Sequence, residues 1–326
     1  MTDVSKTILE KYQVRKNGKQ KEAFREYIKS VAEENGYTCT VEKGAYGSQN
    51  IVIGNPDNAK ILFGAHYDTS TVWPFANKIT PKSFFLYLLY QLGLVLLMFI
   101  IPAAVGFLGV LITSLINKAA GLVAIGVAVA FVSIVMFFEF LWLTGVGVAN
   151  KHNANDNTSG VNTVVDLMLS LPREKRSNVA FVLFDLEEVG MIGSSSFFEK
   201  HKKFIKRKLL LNFDCVGDGD YMLFSINRKA REYLPFLQAS FKETENVRVE
   251  LAENGVFYPS DHLSFSRGVC VGALKETKKH KILYVDKIHT KNDTVLREEN
   301  IDYLVKGSLK LIEIVPIEVE YEETVY

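Results

Sequence analysis

Between Phe84 and Val148 the chain carries two long apolar runs, and no other feature of its 326 residues restricts the architecture so strongly. Phe84–Ile116 has no formal charge and is longer than the roughly 20 residues that cross a bilayer as a helix. After Asn117-Lys118 the apolar character resumes and continues to Val148, interrupted only by Glu139. Two such runs joined by a short polar turn predict a transmembrane helical hairpin. The competing reading is a buried helical pair, or an apolar dimerisation arm in a soluble protein. Buried soluble helices of this length normally show polar periodicity, whereas Gln91 and Glu139 are almost the only polar breaks here beyond Ser and Thr. Pro102 is tolerable as a kink in a membrane helix, and Glu139 stands near the end of its run, where a carboxylate reaches the interface.

The opening segment through Tyr27 is charged and holds no apolar signal stretch, so the residues before the hairpin are expected in the cytoplasm. Lys78, Lys82 and Lys151 at the base outnumber Lys118 at the tip, which orients the tip outward. The expected organisation is therefore a discontinuous folded domain, residues 1–81 and 149–326, interrupted by a membrane hairpin at 82–148. The folded part has roughly 250 residues, a size that one α/β domain reaches around a single core. Net charge is +1, and the one basic cluster, Lys200–Lys208, reads as the solvated end of a helix. Nothing there resembles a footprint for nucleic acid. The three cysteines, Cys39, Cys215 and Cys270, leave at least one unpaired and show no CxxC spacing, which argues for a reducing compartment.

Outside the hairpin, Gln20–Asn35 has apolar residues at helical spacing, ended by Gly36. Strand candidates follow at Thr38–Val41, Asn50–Ile53 and Ile61–Ala65, and the apolar runs Asn178–Phe184 and Leu209–Phe213 are of the type buried inside a sheet. Helices are predicted at Gly160–Ser170, Ser195–Phe204, Lys229–Phe241 and Glu298–Ile314. This alternation predicts an α/β fold with a mixed, largely parallel sheet flanked by helices.

Acids and histidines cluster at the ends of those strands. His66 ends the run Ile61–Ala65, and Asp68, two residues on, points to the same side in extended chain. It can accept the imidazole N–H and fix the tautomer. Asp156 lies in a small polar loop opening into a helix; it or its neighbours Asn157 and Thr158 read as a helix cap, although a carboxylate can also bridge two metal ions. Glu187-Glu188 follows a buried strand, where adjacent acids repel unless a cation neutralises one. Asp185, two positions earlier, is expected below the sheet edge. Asp214 ends Leu209–Phe213 in the same way, and His289 stands in a loop before the last helix. His262 is a competing imidazole with a site-like setting, while His152, His201 and His280 read as exposed.

In this order the islands resemble the M28 family of zinc aminopeptidases. The matching stretches are Gly64-Ala65-His66-Tyr67-Asp68, Asp156–Gly160, Glu187–Ser194, Asn212-Phe213-Asp214 and His289-Thr290, with Ser260-Asp261-His262 through Phe265 near the substrate pocket. The resemblance implies two zinc ions bridged by Asp156, with His66 and Asp214 on one and Glu188 and His289 on the other. It implies Glu187 as general base, Asp68 as the acid that orients His66, and a peptide as substrate. Tyr258 would donate to the oxyanion or simply pack. The related M20 group has similar islands but inserts a dimerisation domain for which there is no room between Asp214 and His289. The departure from the M28 pattern is the connection from His66 to Asp156, normally short and here holding the hairpin.

Two further readings share the scaffold. Glutaminyl cyclases resemble M28 proteins but use one zinc for an intramolecular transfer, with pocket tryptophans, one of them beside the last histidine, where this chain has Ile288. Some relatives keep the fold as a binding module after losing metal ligands, whereas here all five ligand positions and the base are present. Side-chain preference and oligomeric state are left open by the sequence.

Overall fold

The runs Ile61–His66, Val179–Phe184 and Leu209–Phe213 are buried at every position, which is why they read as continuous apolar strings. In the computed structural model, which describes residues 1–75, 77–116, 121–143 and 147–316, they are the central strands of a nine-stranded sheet. The strands are β1 (Cys39–Lys43), β2 (Gln49–Ile53), β3 (Ile61–His66), β4 (Val179–Phe184), β5 (Leu209–Phe213), β6 (Tyr221–Ile226), β7 (Arg248–Ala252), β8 (Gly268–Glu276) and β9 (Leu283–Tyr284). Their order is β1-β2-β4-β3-β5-β8-β6-β7, with β9 beside β8. The centre, β4-β3-β5-β8, is parallel, whereas β2 pairs antiparallel with β4 and β6 with β8. This is the expected mixed sheet.

The helices are α1 (Asp3–Lys11), α2 (Gly18–Glu34), α3 (Phe84–Ile116), α4 (Gly121–Leu143), α5 (Gly160–Ser170), α6 (Ile192–Ile205), α7 (Leu234–Ser240) and α8 (Glu298–Ile314). Asn17 and Gln20 cap α2 reciprocally, which sets its start. The two-residue period of the strands divides the core. Phe63, Phe181 and Leu211 face a layer containing Phe24, Val164 and Leu304 from α2, α5 and α8. Leu62, Val182 and Leu210 face Phe197 and Ile205 of α6.

In the parallel register His66 lies opposite Phe184, and Gly64 opposite Asn212. Three strands therefore deliver their C-terminal ends to one edge. The chain leaves β3 for β4 on one side and returns from β4 to β5 on the other, with α5 and α6 on opposite faces. That reversal opens a crevice at the C-terminal edge, the usual ligand position in such sheets.

Two compact units are present, residues 1–83 with 149–326, and residues 84–148. In the smaller unit α3 and α4 pack closely at Gly106, where a Cβ would stand 2.7 Å from Val132. Among the described residues α3 is the one helix long and apolar enough to cross a membrane, and α4 holds a shorter apolar stretch, Val123–Glu139. The expected turn Asn117-Lys118 lies outside the described residues.

Phe63 stacks between Phe181 and Phe213 at centroid distances of 6.1 and 6.2 Å, directly beneath the strand ends. Truncating it leaves a cavity where β3, β4 and β5 meet, so Phe63→Ala is expected to cost about 3–5 kcal/mol. Denaturant unfolding in detergent micelles measures this.

Candidate metal centre

His66 and His289 meet through a single carboxylate. His66 Nε2 is 3.2 Å from Asp156 Oδ1 and 3.8 Å from Asp214 Oδ1. His289 Nε2 is 3.0 Å from the other Asp156 oxygen, Oδ2, and 3.1 Å from Glu188 Oε2. Two ligand triads result, His66/Asp156/Asp214 and Asp156/Glu188/His289, each with its candidate ligand atoms within 4.8 Å of one another. Glu187 forms a third such group with His66 and Glu188. All seven residues singled out in the sequence, Asp68 included, thus converge at the sheet edge.

The loop carrying Asp156 is pinned by asparagines. Asn157 Oδ1 accepts the Gly160 and Cys215 N–H groups, and its Nδ2 donates to Phe213 O and, at 3.5 Å, to His66 O. Asn155 Oδ1 accepts from Gly217 and Asp218, while Asn153 Nδ2 donates to Asn150 O. The Asn157 side chain accepts the first N–H of α5, as the helix-start reading expected of this loop, and the neighbouring Asp156 faces the histidines.

Asp68 has two tasks. The His66 Nδ1 faces its carbonyl at 3.2 Å and its carboxylate at 3.5 Å, which places the Nδ1 proton there and leaves Nε2 for a cation. The same carboxylate accepts the backbone N–H groups of Glu187 and Glu188 at 3.0 and 3.3 Å. This second task is invisible in the sequence. The turn it holds has left-handed backbone at Leu186 and Met191. It closes onto Gly193, where a Cβ would stand 2.1 Å from Asp185 O. Asp185 itself points away from the centre, to Lys21 Nζ at 2.5 Å and the Gln49 N–H.

Electrostatics favour a cation. Burial alone would lower the His66 pKa, but Glu187, Asp156, Asp214 and Asp68 hold it well above the ordinary value. For His289, burial is likewise outweighed by Glu188 and Asp156. Burial pushes the Glu187 carboxyl well above the carboxylate range; the His66 charge opposes this, and Asp261, Asp214 and Glu188 add to it. Among the described residues Glu188 Oε1 is buried without a hydrogen-bond partner. Clustered carboxylates, two imidazoles whose Nε2 atoms face them and an orphaned oxygen match the oxygen–nitrogen donor set of divalent zinc. The residues fit a pair of such ions.

Other expectations divide. Tyr258 is buried, and its hydroxyl donates to Asp214 O at 3.1 Å, so it holds a ligand strand in place. His262 is fully buried, its pKa lowered to about 4 by burial, and it joins neither triad. Asp261 beside it is pushed up to about 7, first by burial and then by Asp68 and Asp214, against His66. His201 is not exposed: it is buried between Asp57 and Glu42, with its ring nitrogens 2.7 and 3.0 Å from their carboxylates. Burial also drives the Cys215 thiol well up, away from a nucleophile's range.

A cavity of about 230 Å³ opens over the centre, with Asn77, Ile79, Met191, Pro259 and Ile288 around the ligands. Asn77 and Ile79 belong to the segment leading into the hairpin. That segment is tied down by Trp73 N–H to His289 O at 2.7 Å, by Ile79 pairing with Val285, and by Phe257 N–H to Pro81 O. Trp73 brings its ring to 6.0 Å from the His289 ring, so a tryptophan does flank the last histidine, in space though not in sequence.

An α/β sheet with carboxylates and histidines collected at its C-terminal edge defines a metal-dependent hydrolase. A model of peptidase family M28 matches residues 144–306, half of the chain, and the chain belongs to that family. It is accordingly a peptide hydrolase. Comparison with curated proteins gives no match. Among solved structures, the LapA aminopeptidase of Legionella pneumophila is 15% identical, with a TM-score of 0.54 over 95% of this chain and 69% of that one. A Zn-dependent exopeptidase from Parabacteroides distasonis is 13% identical and a glutaminyl cyclase from Bacteroides thetaiotaomicron 14%, each with a TM-score of 0.55 over 96% of both chains. At these identities the likeness is one of fold.

Removing the second acceptor oxygen of Asp68 leaves one N–H of the Glu187-Glu188 turn opposed by an amide. Asp68→Asn is expected to weaken zinc affinity about 10–100-fold. Competition with a chromophoric chelator reads this directly.

Proposed function

We propose that this chain is a membrane-anchored aminopeptidase that removes the amino-terminal residue of peptides at a two-zinc centre. The observation that carries this reading is the division of Asp156, one oxygen to each histidine, between two complete triads. His66, Asp156 and Asp214 would hold one ion, and Asp156, Glu188 and His289 the other. When bound, the pair polarises the scissile carbonyl and lowers the pKa of the attacking water. Glu187 takes the proton of that water and passes it to the leaving amine, a role suited to a carboxylate whose burial moves its pKa towards neutrality. Asp68 holds Glu187 and His66 in register for this.

The cavity supports removal of a terminal residue. It is smaller than the roughly 300–1,000 Å³ of pockets that enclose drug-sized ligands. Its apolar members, Ile79, Met191 and Ile288, suit an uncharged side chain. The apolar residues of α3 are largely exposed, Phe107 and Leu115 among them, as a lipid-facing helix requires and a buried core helix does not. Residues 82–148 thus anchor the protein, and the lysine balance places residues 1–81 and 149–326 in the cytosol.

One observation favours a second reading. Trp73, its ring 6.0 Å from that of His289, puts beside the last histidine a tryptophan that the sequence lacks there, and a glutaminyl cyclase is among the similar folds. A single-zinc cyclase would bind one ion and convert amino-terminal glutamine without hydrolysing its peptide bond.

Purified protein in detergent, loaded with zinc, is expected to cleave free but not N-blocked peptides, and chelation is expected to abolish cleavage. Glu187→Gln should lower kcat about 10²–10⁴-fold while metal content stays at the wild-type level. Cleavage of blocked peptides alone would overturn the reading. Ile79→Ala should raise the Phe-to-Leu ratio of kcat/KM about tenfold, the scale on which pocket methylenes discriminate; an unchanged ratio would remove Ile79 from the substrate wall.

A further inference from the structure

Asp293 stands four residues after His289 and is 2% exposed. Its Oδ1 accepts the Asn155 N–H at 2.8 Å, and its Oδ2 accepts the N–H of Asp156 itself at 3.0 Å. Its carbonyl accepts the Ala154 N–H, and its own N–H donates to Thr290 O in the loop of His289. The two loops that supply Asp156 and His289 are thus fastened at Asp293, through its side chain and its carbonyl, with Asn150 Nδ2 to Thr290 O beside it. On the opposite flank Asn157 bonds to Phe213 O and to the Cys215 N–H, and so ties Asp156 to the end of β5 beside Asp214. Asp156 hangs between two anchors, and each serves a different ion.

We propose that Asp293 is a positioning residue that sets the affinity of the second metal site, Asp156/Glu188/His289, and so decides whether one ion or two are held. The inference rests on the two-zinc reading. The first site draws His66 and Asp214 from the ends of β3 and β5, whose separation is fixed by sheet register, and Asn157 secures Asp156 to them. The second site draws its ligands from loops. A rigid link between those loops helps to hold Asp156 Oδ2 and His289 Nε2 at their 3.0 Å spacing, to which the Asn150 Nδ2 bond to Thr290 O adds. Asp293 makes that link with both oxygens, and an amide in its place would turn an NH₂ group against one of the two N–H donors.

The test is metal titration of the apo-enzyme in detergent against a competing chelator, with cobalt absorption as a signature of each site. Wild type should take two ions. Asp293→Asn and Asp293→Ser should bind the first as wild type does and the second about 10–100-fold more weakly, with loss of the second cobalt signature. An unchanged thermal midpoint of the apo-variants shows that the loss is not one of folding. A wild type that takes only one ion overturns the two-zinc reading and this inference with it. Two ions at wild-type affinity in both variants, or equal weakening of both ions, overturns the role of Asp293 alone. If neither variant folds, Asp293 is a folding residue and the assignment falls.

Discussion

The carboxylate of Asp156, shared between His66 and His289, is the contact on which the centre depends. It is 4% exposed, and burial by itself would raise its pKa; the two imidazoles reverse that and hold it far below the ordinary carboxylate range. Against their burial, the surrounding carboxylates, Glu187 and then Asp156 for His66 and Glu188 and then Asp156 for His289, raise the pKa of both imidazoles. Binding a cation there competes with protonation of the imidazoles. An arrangement that concentrates so much negative charge out of water is stable only with positive charge at its centre. Besides their contacts with one another, the ligands are held by side-chain amides and carboxylates that bond to the backbone of the loops carrying them.

That fastening reaches well beyond the ligands. Arg15, buried between α1 and α2, donates to Tyr67 O and Tyr12 O and to the Thr158 hydroxyl. One guanidinium so braces the chain between His66 and Asp68 and the loop of Asp156. Its pKa falls to about 10 through burial, with Asp68 and Asp156 opposing the fall, so it remains charged near neutral pH. His289 itself has left-handed backbone, as do Leu186 and Met191 around the Glu187-Glu188 turn. Such backbone is unfavourable for residues with a Cβ and persists where surrounding contacts over-determine it. Local strain is concentrated where ligands are aimed.

Much of this was legible in the chain. β3, β4 and β5 are buried on both faces and so read as unbroken apolar strings ending in His66, the Glu187-Glu188 turn and Asp214. The strands beyond β5 were not read from the sequence: β6 and β8 are buried along most of their length all the same, whereas β7 is only partly buried and β9 has two residues. α1 escaped because it is short and buries little beyond Ser5 and Ile8. The site was legible as a set of ligands and illegible as a set of supports. Asn153, Asn155 and Asn157 act through side-chain bonds to backbone distant in sequence, and Asp293 does the same, so neither periodicity nor spacing marks them. His201 was misread for a related reason: its two carboxylate partners, Glu42 and Asp57, lie more than 140 residues earlier in the chain.

The placement of the long insertion follows from the same geometry. The chain leaves the peptidase unit after Ser83 and returns at Ala149, and Ala149 pairs with Thr71, shortly before the exit, across an isolated bridge. With its ends so close, the inserted segment closes a loop whose entropy cost grows only with the logarithm of its length. His66 and Asp156 can therefore stay in register however many residues separate them. What the insertion does change is the ground between Thr71 and Pro81. That stretch pairs with Val285 and Ile288 as it goes, bringing Ile79 to the cleft and the Trp73 ring beside that of His289. A segment that leads into α3 thereby becomes a wall of the site. The ligand set is held by the sheet and its loops, while the shape of the space above it is set in part by the route to the apolar unit.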